Sequence, residues 1–175
     1  MFRFLSHSRH ATSYTSFFLY EIEISDELKN SSMSEILDKF IKNPYFRDQS
    51  QWHQEKFEKN VFTHTAFIIE DLSIEDFKMI KGKDIAEIVI SCLDKESWRE
   101  ADLSLREDYR DTFNKSKWFP DELKIENDQV FYLNLDWFVD SEKLVDPYWI
   151  WDYALAFILI NQSKTKLIML DYGMD

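Results

Sequence analysis

A chain of 175 residues with a formal charge of −12 also carries 17% aromatic residues, and these two properties rarely occur together. High net charge alone is typical of disorder, but fifteen Phe, eight Tyr and six Trp bring more apolar surface than a solvated chain leaves exposed. Only two glycines occur, which excludes the Walker loop, the dinucleotide fingerprint and the nucleophile elbow, because each needs several glycines within a few residues. We therefore expect a folded acidic protein with a single domain over 1–175.

The cysteine content and the apolar runs indicate the compartment. Cys92 is the one cysteine, so no internal disulfide can form, and a reducing environment is expected. The longest apolar run, Ala154 to Ile160, is too short to span a bilayer, and the first residues lack the apolar core of a secretory signal. We expect a cytoplasmic protein that contacts no membrane. Residues 1–13 fit either a disordered start or an early strand.

The first part of the chain predicts two strands and a helix. Alternating apolar residues from Phe18 to Ile24 are typical of a half-buried strand. Ser32 and Glu35 form a capping-box pair before an apolar stripe with helical spacing, and Pro44 ends that helix. The β-branched and aromatic residues of Val61 to Ile69 predict a second strand.

The middle of the chain predicts helices. Ser73 and Asp76 resemble the start of a short helix that Gly82 closes. The apolar spacing of 84–93 fits a helix, although its centre also fits a buried strand, and we favour the helix. A third helix with one apolar face is predicted over 97–113.

The last part of the chain predicts strands. Phe131 to Trp137 alternates apolar and polar residues, and 153–160 and 167–172 flank a polar turn as a hairpin. Together these elements predict an α+β fold. Its antiparallel sheet has about five strands from both chain ends, with helices from the middle of the chain packed on it.

Few residues qualify for metal binding or nucleophilic catalysis. His7 and His10 are spaced as two metal ligands, but no Cys or carboxylate cluster nearby completes a site. Cys92 lies on the apolar stripe of its predicted helix, where burial raises a thiol pKa and blunts its reactivity. We therefore interpret Cys92 as a core residue.

Pairs of carboxylates are the remaining candidates for acid–base chemistry. Asp136 with Asp140, and Asp171 with Asp175, have suitable spacing, but pairs like these arise by chance among 33 acidic residues. The sequence predicts no catalytic residue, no metal site and no cofactor, and hence a protein that is not an enzyme.

The distribution of charge carries the functional signal. Between Asp94 and Glu142 there are fourteen Asp or Glu against seven Lys or Arg, so this stretch holds −7 of the −12. Aromatic residues, among them Trp118, are interleaved with these acids. Carboxylates that steer association, beside aromatics that hold a complex, are what a surface for a basic protein needs. The predicted contact residues are Glu100, Asp102, Glu107, Asp108, Asp111, Trp118, Asp121 and Glu122.

The same acidity argues against partners that carry phosphate. Nucleic acids and anionic membranes would be repelled, so no direct binding to either is expected. The acids between Glu100 and Asp111 could instead imitate a row of phosphates. In the absence of its partner, the protein is expected to be a monomer or a weak dimer.

In size, single-domain build, acidity and aromatic richness, the chain resembles the small acidic immunity proteins that bacteria pair with secreted or contact-delivered toxins. The resemblance implies a cytoplasmic inhibitor that binds a cognate toxin, often a basic nuclease, and blocks its active site or a neighbouring surface. Two alternatives remain open. One is a small hydrolase or transferase that uses carboxylates with His53 or His64, and the other is an adaptor subunit, which the aromatic run from Tyr148 to Tyr153 would suit.

Overall fold

The computed structural model describes residues 1–11, 15–43, 72–85, 87–88, 91, 129–133 and 153–174. These residues form six strands, helix α1 and two short 3-10 turns, Asp26–Leu28 and Ile74–Asp76. The strands are β1 (Phe2–Ala11), β2 (Thr15–Ile24), β3 (Phe77–Lys81), β4 (Gln129–Leu133), β5 (Tyr153–Ile160) and β6 (Lys166–Met174), and α1 is Met33–Ile41. Residues 2–11, for which the sequence left a disordered start and an early strand both open, form β1.

All six strands belong to one antiparallel sheet with the order β1-β2-β6-β5-β4-β3. The last strand of the chain, β6, lies between β2 and β5. An early strand and the last strand therefore pair with each other inside the sheet. The predicted α+β fold with an antiparallel sheet from both ends is confirmed. The prediction of about five strands was too low, because 2–11 and 77–81 also form strands.

The sheet has two ends, which we name by their connections. The turn end holds the 161–165 turn between β5 and β6, together with the last residues of β2. The far end holds Thr15, Tyr153 and Met174, which lie at the opposite ends of their strands. At the turn end, the Asn161 side-chain oxygen accepts hydrogen bonds from the backbone N–H groups of Thr165 (2.9 Å) and Lys166 (3.0 Å). These bonds close the hairpin that the sequence predicted at this position.

Helix α1 begins at the capping box that the sequence predicted. The Ser32 hydroxyl accepts from the Glu35 backbone N–H at 3.2 Å, and the Glu35 carboxylate accepts from the Ser32 N–H at 2.6 Å. The hydrogen bond from the Ser32 N–H, and secondarily a hydrogen bond from the Ser32 side chain to the same carboxylate, lowers the pKa of Glu35. The helix that packs on the sheet thus comes from 33–41. Our prediction that such helices come from the middle of the chain was wrong for this helix, and the helix predicted over 97–113 lies outside the described residues.

The prediction of a short helix from Ser73 to Gly82 was wrong. The Asp76 carboxylate does accept the Ser73 backbone N–H at 2.8 Å, as a capping residue would, but the 3-10 turn it closes ends after one turn. Residues 77–81 then pair with β4, so tertiary pairing overrides a local start signal. Farther on, the described residues within 84–91 are helical, as predicted. The strand predicted at Val61 to Ile69 lies outside the described residues.

One face of the sheet, the helix face, packs against α1 and holds the main core. Every second residue along each strand contributes its side chain to this core, and α1 adds four buried apolar side chains. The Phe2 and Phe40 rings meet edge to face with centroids 5.3 Å apart, which joins β1 to the helix. The buried members are Tyr20, Ile22, Ile24, Leu28, Ile36, Leu37, Phe40, Ile41, Phe77, Phe131, Leu133, Ala156, Ile158, Ile160, Leu167 and Met169.

The opposite face of the sheet is buried at its centre as well. Along β5 and β6 the residues that alternate with the helix-face positions, such as Phe157 and Ile168, have no exposed surface. The Tyr132 and Phe157 rings stack there at 5.1 Å. Toward the edge, this face turns polar, with a half-buried ion pair between Lys166 and Glu21 at 3.4 Å. The central hairpin therefore lies in apolar surroundings on both sides.

We predict that the capping box contributes measurably to stability. The substitution Ser32→Ala removes the hydroxyl that accepts the Glu35 N–H, and we expect it to lower the free energy of unfolding by about 1 kcal/mol. Urea denaturation followed by circular dichroism measures this change. Ser34→Ala is the matched control, because that serine lies inside α1, where alanine favours the helix. Equal losses in the two variants would contradict a specific role for the cap.

Candidate functional site

None of the eight predicted partner-binding residues, from Glu100 to Glu122, falls within the described residues. The same holds for His53, His64 and Cys92 and for residues 148–152 of the aromatic run. These predictions remain predictions. What the structure adds is the position of the strands to which the acidic segments are attached.

The described residues and the rest of the chain differ sharply in charge. The described residues hold eleven Asp or Glu against ten Lys or Arg, a net charge of −1. The remaining residues hold twenty-two against eleven and therefore carry −11 of the total −12. The described residues are thus nearly neutral, and most of the formal negative charge belongs to the rest of the chain.

Strand β4 divides the acidic stretch from Asp94 to Glu142. Val130 and Phe131 on this strand are buried, and β4 pairs with β3 on one side and β5 on the other. Gln129, where β4 begins, lies toward the turn end, whereas Leu133, where β4 ends, lies toward the far end. The stretch therefore consists of two segments joined to opposite ends of one buried strand. All eight predicted contact residues belong to the first segment.

The two histidines considered as metal ligands occupy positions on different faces of β1. His7 pairs in register with Tyr20 and His10 with Phe17, and positions three apart on a regular strand alternate in face. Across the described part of the chain, no group of three or more His, Cys, Asp or Glu is placed to hold a metal ion.

The most unusual side chain in the described structure is Asp171 on β6. It is 1% exposed, and among the residues whose side chains are described it is the one charged or polar residue that is buried. In register it lies between Phe18 of β2 and Ala156 of β5. By strand alternation it shares the helix face with Leu167 and Met169. Neither carboxylate oxygen has a hydrogen-bond partner among the described residues.

These surroundings favour the protonated acid. Burial raises the pKa of Asp171 well above its ordinary value, because an ionised carboxylate loses its hydration and gains no partner in exchange. Tyr20 of β2 also lies on the helix face, opposite Met169. Burial, and secondarily the nearby Asp171, raises the pKa of its phenol. Both groups are therefore held in their neutral forms.

Sequence analysis missed Asp171 as a distinctive residue. It treated the Asp171–Asp175 spacing as one chance pair among many acids. A signal was present, because Asp171 continues the inward series Leu167 and Met169 of a strand that was predicted correctly. An acid at an inward position of a central strand has to be neutralised or paired.

Comparison with known proteins adds no family. No protein-family model matches the chain, and no curated protein is significantly similar to it. Within the described ranges, no helix is both long and apolar enough to cross a membrane.

We predict that Asp171→Asn stabilises the protein at pH 7. The folded state holds the carboxyl proton more tightly than the unfolded state, so the free energy of unfolding falls as the pH rises above about 3.9 and continues to fall up to the folded-state pKa. The amide resembles the neutral acid in shape and does not ionise. We expect the variant to exceed the wild type by at least about 1 kcal/mol at pH 7 and to lose that advantage near pH 4.

Urea unfolding of both proteins at several pH values between 4 and 8 measures this difference. Asp38→Asn is the matched control, since Asp38 is exposed and its ion pair with Lys42 (2.7 Å) is a surface pair that contributes little. The prediction is wrong if Asp171→Asn is less stable than the wild type at pH 7, or if the difference between them does not change with pH.

Proposed function

We propose that this protein is a non-enzymatic binding protein that neutralises a basic protein partner, as an immunity protein neutralises its cognate bacterial toxin. The observation that carries the proposal is the distribution of charge: the residues outside the described ranges hold −11 of the formal −12. The described residues, which include the sheet and α1, are nearly neutral, and the acidity is left to the other segments, where we propose the surface for a basic partner.

The sheet suits the role of a support. Its central strands are buried on both faces, and α1 is held by a capping box and by edge-to-face aromatic packing. Segments attached to such a sheet start from fixed points, which reduces the entropy lost on binding. Acidic segments on fixed supports steer a basic partner and orient it during association.

The contact surface is proposed to lie in the segment between β3 and β4. Between residues 92 and 128 this segment holds eleven acids against seven bases, and it includes Trp118 and the predicted contact acids. The other acidic segment, 134–152, leaves β4 in the opposite direction. The proposal therefore assigns the partner to the segment between β3 and β4, and not to the whole stretch from Asp94 to Glu142.

The genomic neighbourhood tests the class of partner. We expect an adjacent reading frame to encode a large secreted protein with a basic carboxy-terminal domain. Co-expression of that domain should arrest growth, and this protein should restore it. A neighbouring domain that is acidic, or whose toxicity this protein does not relieve, would contradict the immunity hypothesis.

Charge reversal tests the surface. In the triple variant Glu107→Lys, Asp108→Lys and Asp111→Lys, we expect association with that basic domain to be at least about tenfold slower at low salt, because steering is lost. Stopped-flow or surface plasmon resonance measurements at two salt concentrations would show the change. The salt dependence of the association rate should weaken in the same variant.

The control changes the net charge by the same amount elsewhere. Asp26, Glu27 and Glu75 are exposed acids outside the segment between β3 and β4, and their replacement by Lys alters the total charge equally. If this second triple variant slows association as much as the first, net charge matters and the segment does not. If neither has an effect, the proposed surface is wrong.

A further inference from the structure

Strand β3 is the outermost strand on one side of the sheet, and no other described strand lies beyond it. Its five residues, Phe77 to Lys81, pair with β4 on the inner side. Met79 is 51% exposed, and Lys78 and Lys81 are exposed as well. An open edge of this kind presents backbone N–H and C=O groups to which a further strand can add.

Two local hydrogen bonds show which backbone groups of β3 point to the open edge. After the strand, the Asp84 carboxylate accepts the Lys81 N–H at 3.1 Å. Before the strand, the Ile74 carbonyl of the 3-10 turn accepts the Phe77 N–H. We call these two hydrogen bonds the edge-blocking contacts. Since each N–H is already used, neither donates to β4, and both lie on the outer side of the strand.

Alternation along the strand extends this result to its other residues. Successive backbone N–H groups of an antiparallel strand point to opposite sides. The N–H groups of Phe77, Met79 and Lys81 therefore point to the open edge, whereas those of Lys78 and Ile80 point to β4. Two of the three outward N–H groups are engaged in the edge-blocking contacts. Among the described residues, only the Met79 N–H has no such local bond.

We propose that the edge-blocking contacts keep the β3 strand of a second copy of this chain from adding to the sheet. A strand that pairs along the whole of β3 needs all three outward N–H groups as donors, and the edge-blocking contacts leave it one. The exposed lysines act in the same direction, because charged side chains on an edge strand, lysine above all, oppose the approach of another strand.

A second copy is the relevant strand because β3 is otherwise complementary to itself. In an antiparallel pair of two β3 strands centred on Met79, that residue lies opposite its own counterpart, Phe77 opposite Lys81, and Lys78 opposite Ile80. All three outward positions would then coincide as hydrogen-bonded pairs. No two lysines lie directly opposite each other in this register. The backbone contacts are therefore needed as well as the charges.

The outermost strand on the other side of the sheet, β1, has a different interruption. Its register with β2 shifts between Phe4 and Ser6, which is typical of a β-bulge. A bulge breaks the regular spacing of backbone groups along an edge and hinders the addition of a straight strand. Substitutions in and beside β3 leave this interruption in place, so the association that they cause should use β3.

Removal of the edge-blocking contact at Asp84 tests the proposal. The triple variant Asp84→Ala, Lys78→Thr and Lys81→Thr frees the Lys81 N–H and removes the positive charges of the strand. We expect this variant to self-associate at a concentration at least about tenfold lower than the wild type does, because each copy regains a backbone donor. Sedimentation velocity over a series of concentrations measures this, and far-UV circular dichroism confirms that the variant is folded.

The control makes the same change of net charge elsewhere. Asp38→Ala, Lys29→Thr and Lys42→Thr remove one acid and two bases whose ion pairs lie on the surface. We expect this protein to self-associate as the wild type does. The proposal is overturned if the Asp84 variant sediments like the wild type at every concentration, or if the control associates as strongly as that variant.

Hydrogen exchange on the wild type checks the backbone directions without a substitution. The amides of Lys78 and Ile80 should be protected by β4, and that of Met79 should exchange faster than both. Equal protection of all three would show that another group already uses the Met79 N–H, and would overturn the proposal. Asp84 also lies at the start of the helical residues after β3. A role confined to that helix would lower stability but would neither increase self-association nor protect the Met79 amide in the associated variant.

Discussion

The position of β6 constrains everything else in this molecule. It is the last strand of the chain, yet it lies inside the sheet between β2 and β5, and it is buried on both faces. Every backbone group of such a strand finds its partners in the two neighbouring strands, and every side chain must be compatible with an apolar environment. Leu167, Met169 and Leu170 meet that requirement. Asp171 does not, unless it keeps its proton.

The same constraint explains how charge is distributed over the chain. A sheet whose centre is buried on both faces leaves few positions at which an ionised side chain reaches water, and those positions lie at edges, ends and turns. The ion pairs Arg3–Glu23 and Lys166–Glu21 occupy the region of β1 and β2 near the turn end. The large excess of acids belongs to residues outside the described ranges. Sheet and acidic segments thus have different functions in the proposed binding protein.

The sequence predicted those parts of the fold that depend on short-range patterns. The alternation in β2, the capping box of α1 and the hairpin of β5 and β6 are each visible in one continuous stretch of sequence, and each is present. The short helix predicted from Ser73 failed because its start signal is local, whereas the pairing of 77–81 with β4 involves residues about fifty positions away. Long-range pairing has no local signature in a five-residue strand. Asp171 was missed for a related reason: its inward face could be read from the strand, but its position inside the sheet requires pairing with β2, which lies far away in sequence.

If Asp171 keeps its proton, the described residues carry no net charge as a group. The formal count of −12 treats every Asp and Glu as ionised. With the Asp171 proton retained, the described residues hold ten negative against ten positive charges, and the whole net charge of −11 lies in the remaining segments. The hydrophobic demand at the centre of the sheet and the electrostatic attraction proposed for a basic partner therefore involve different residues. A substitution that neutralises Asp171 should change stability without weakening partner binding, and charge reversal at Glu107, Asp108 and Asp111 should do the opposite.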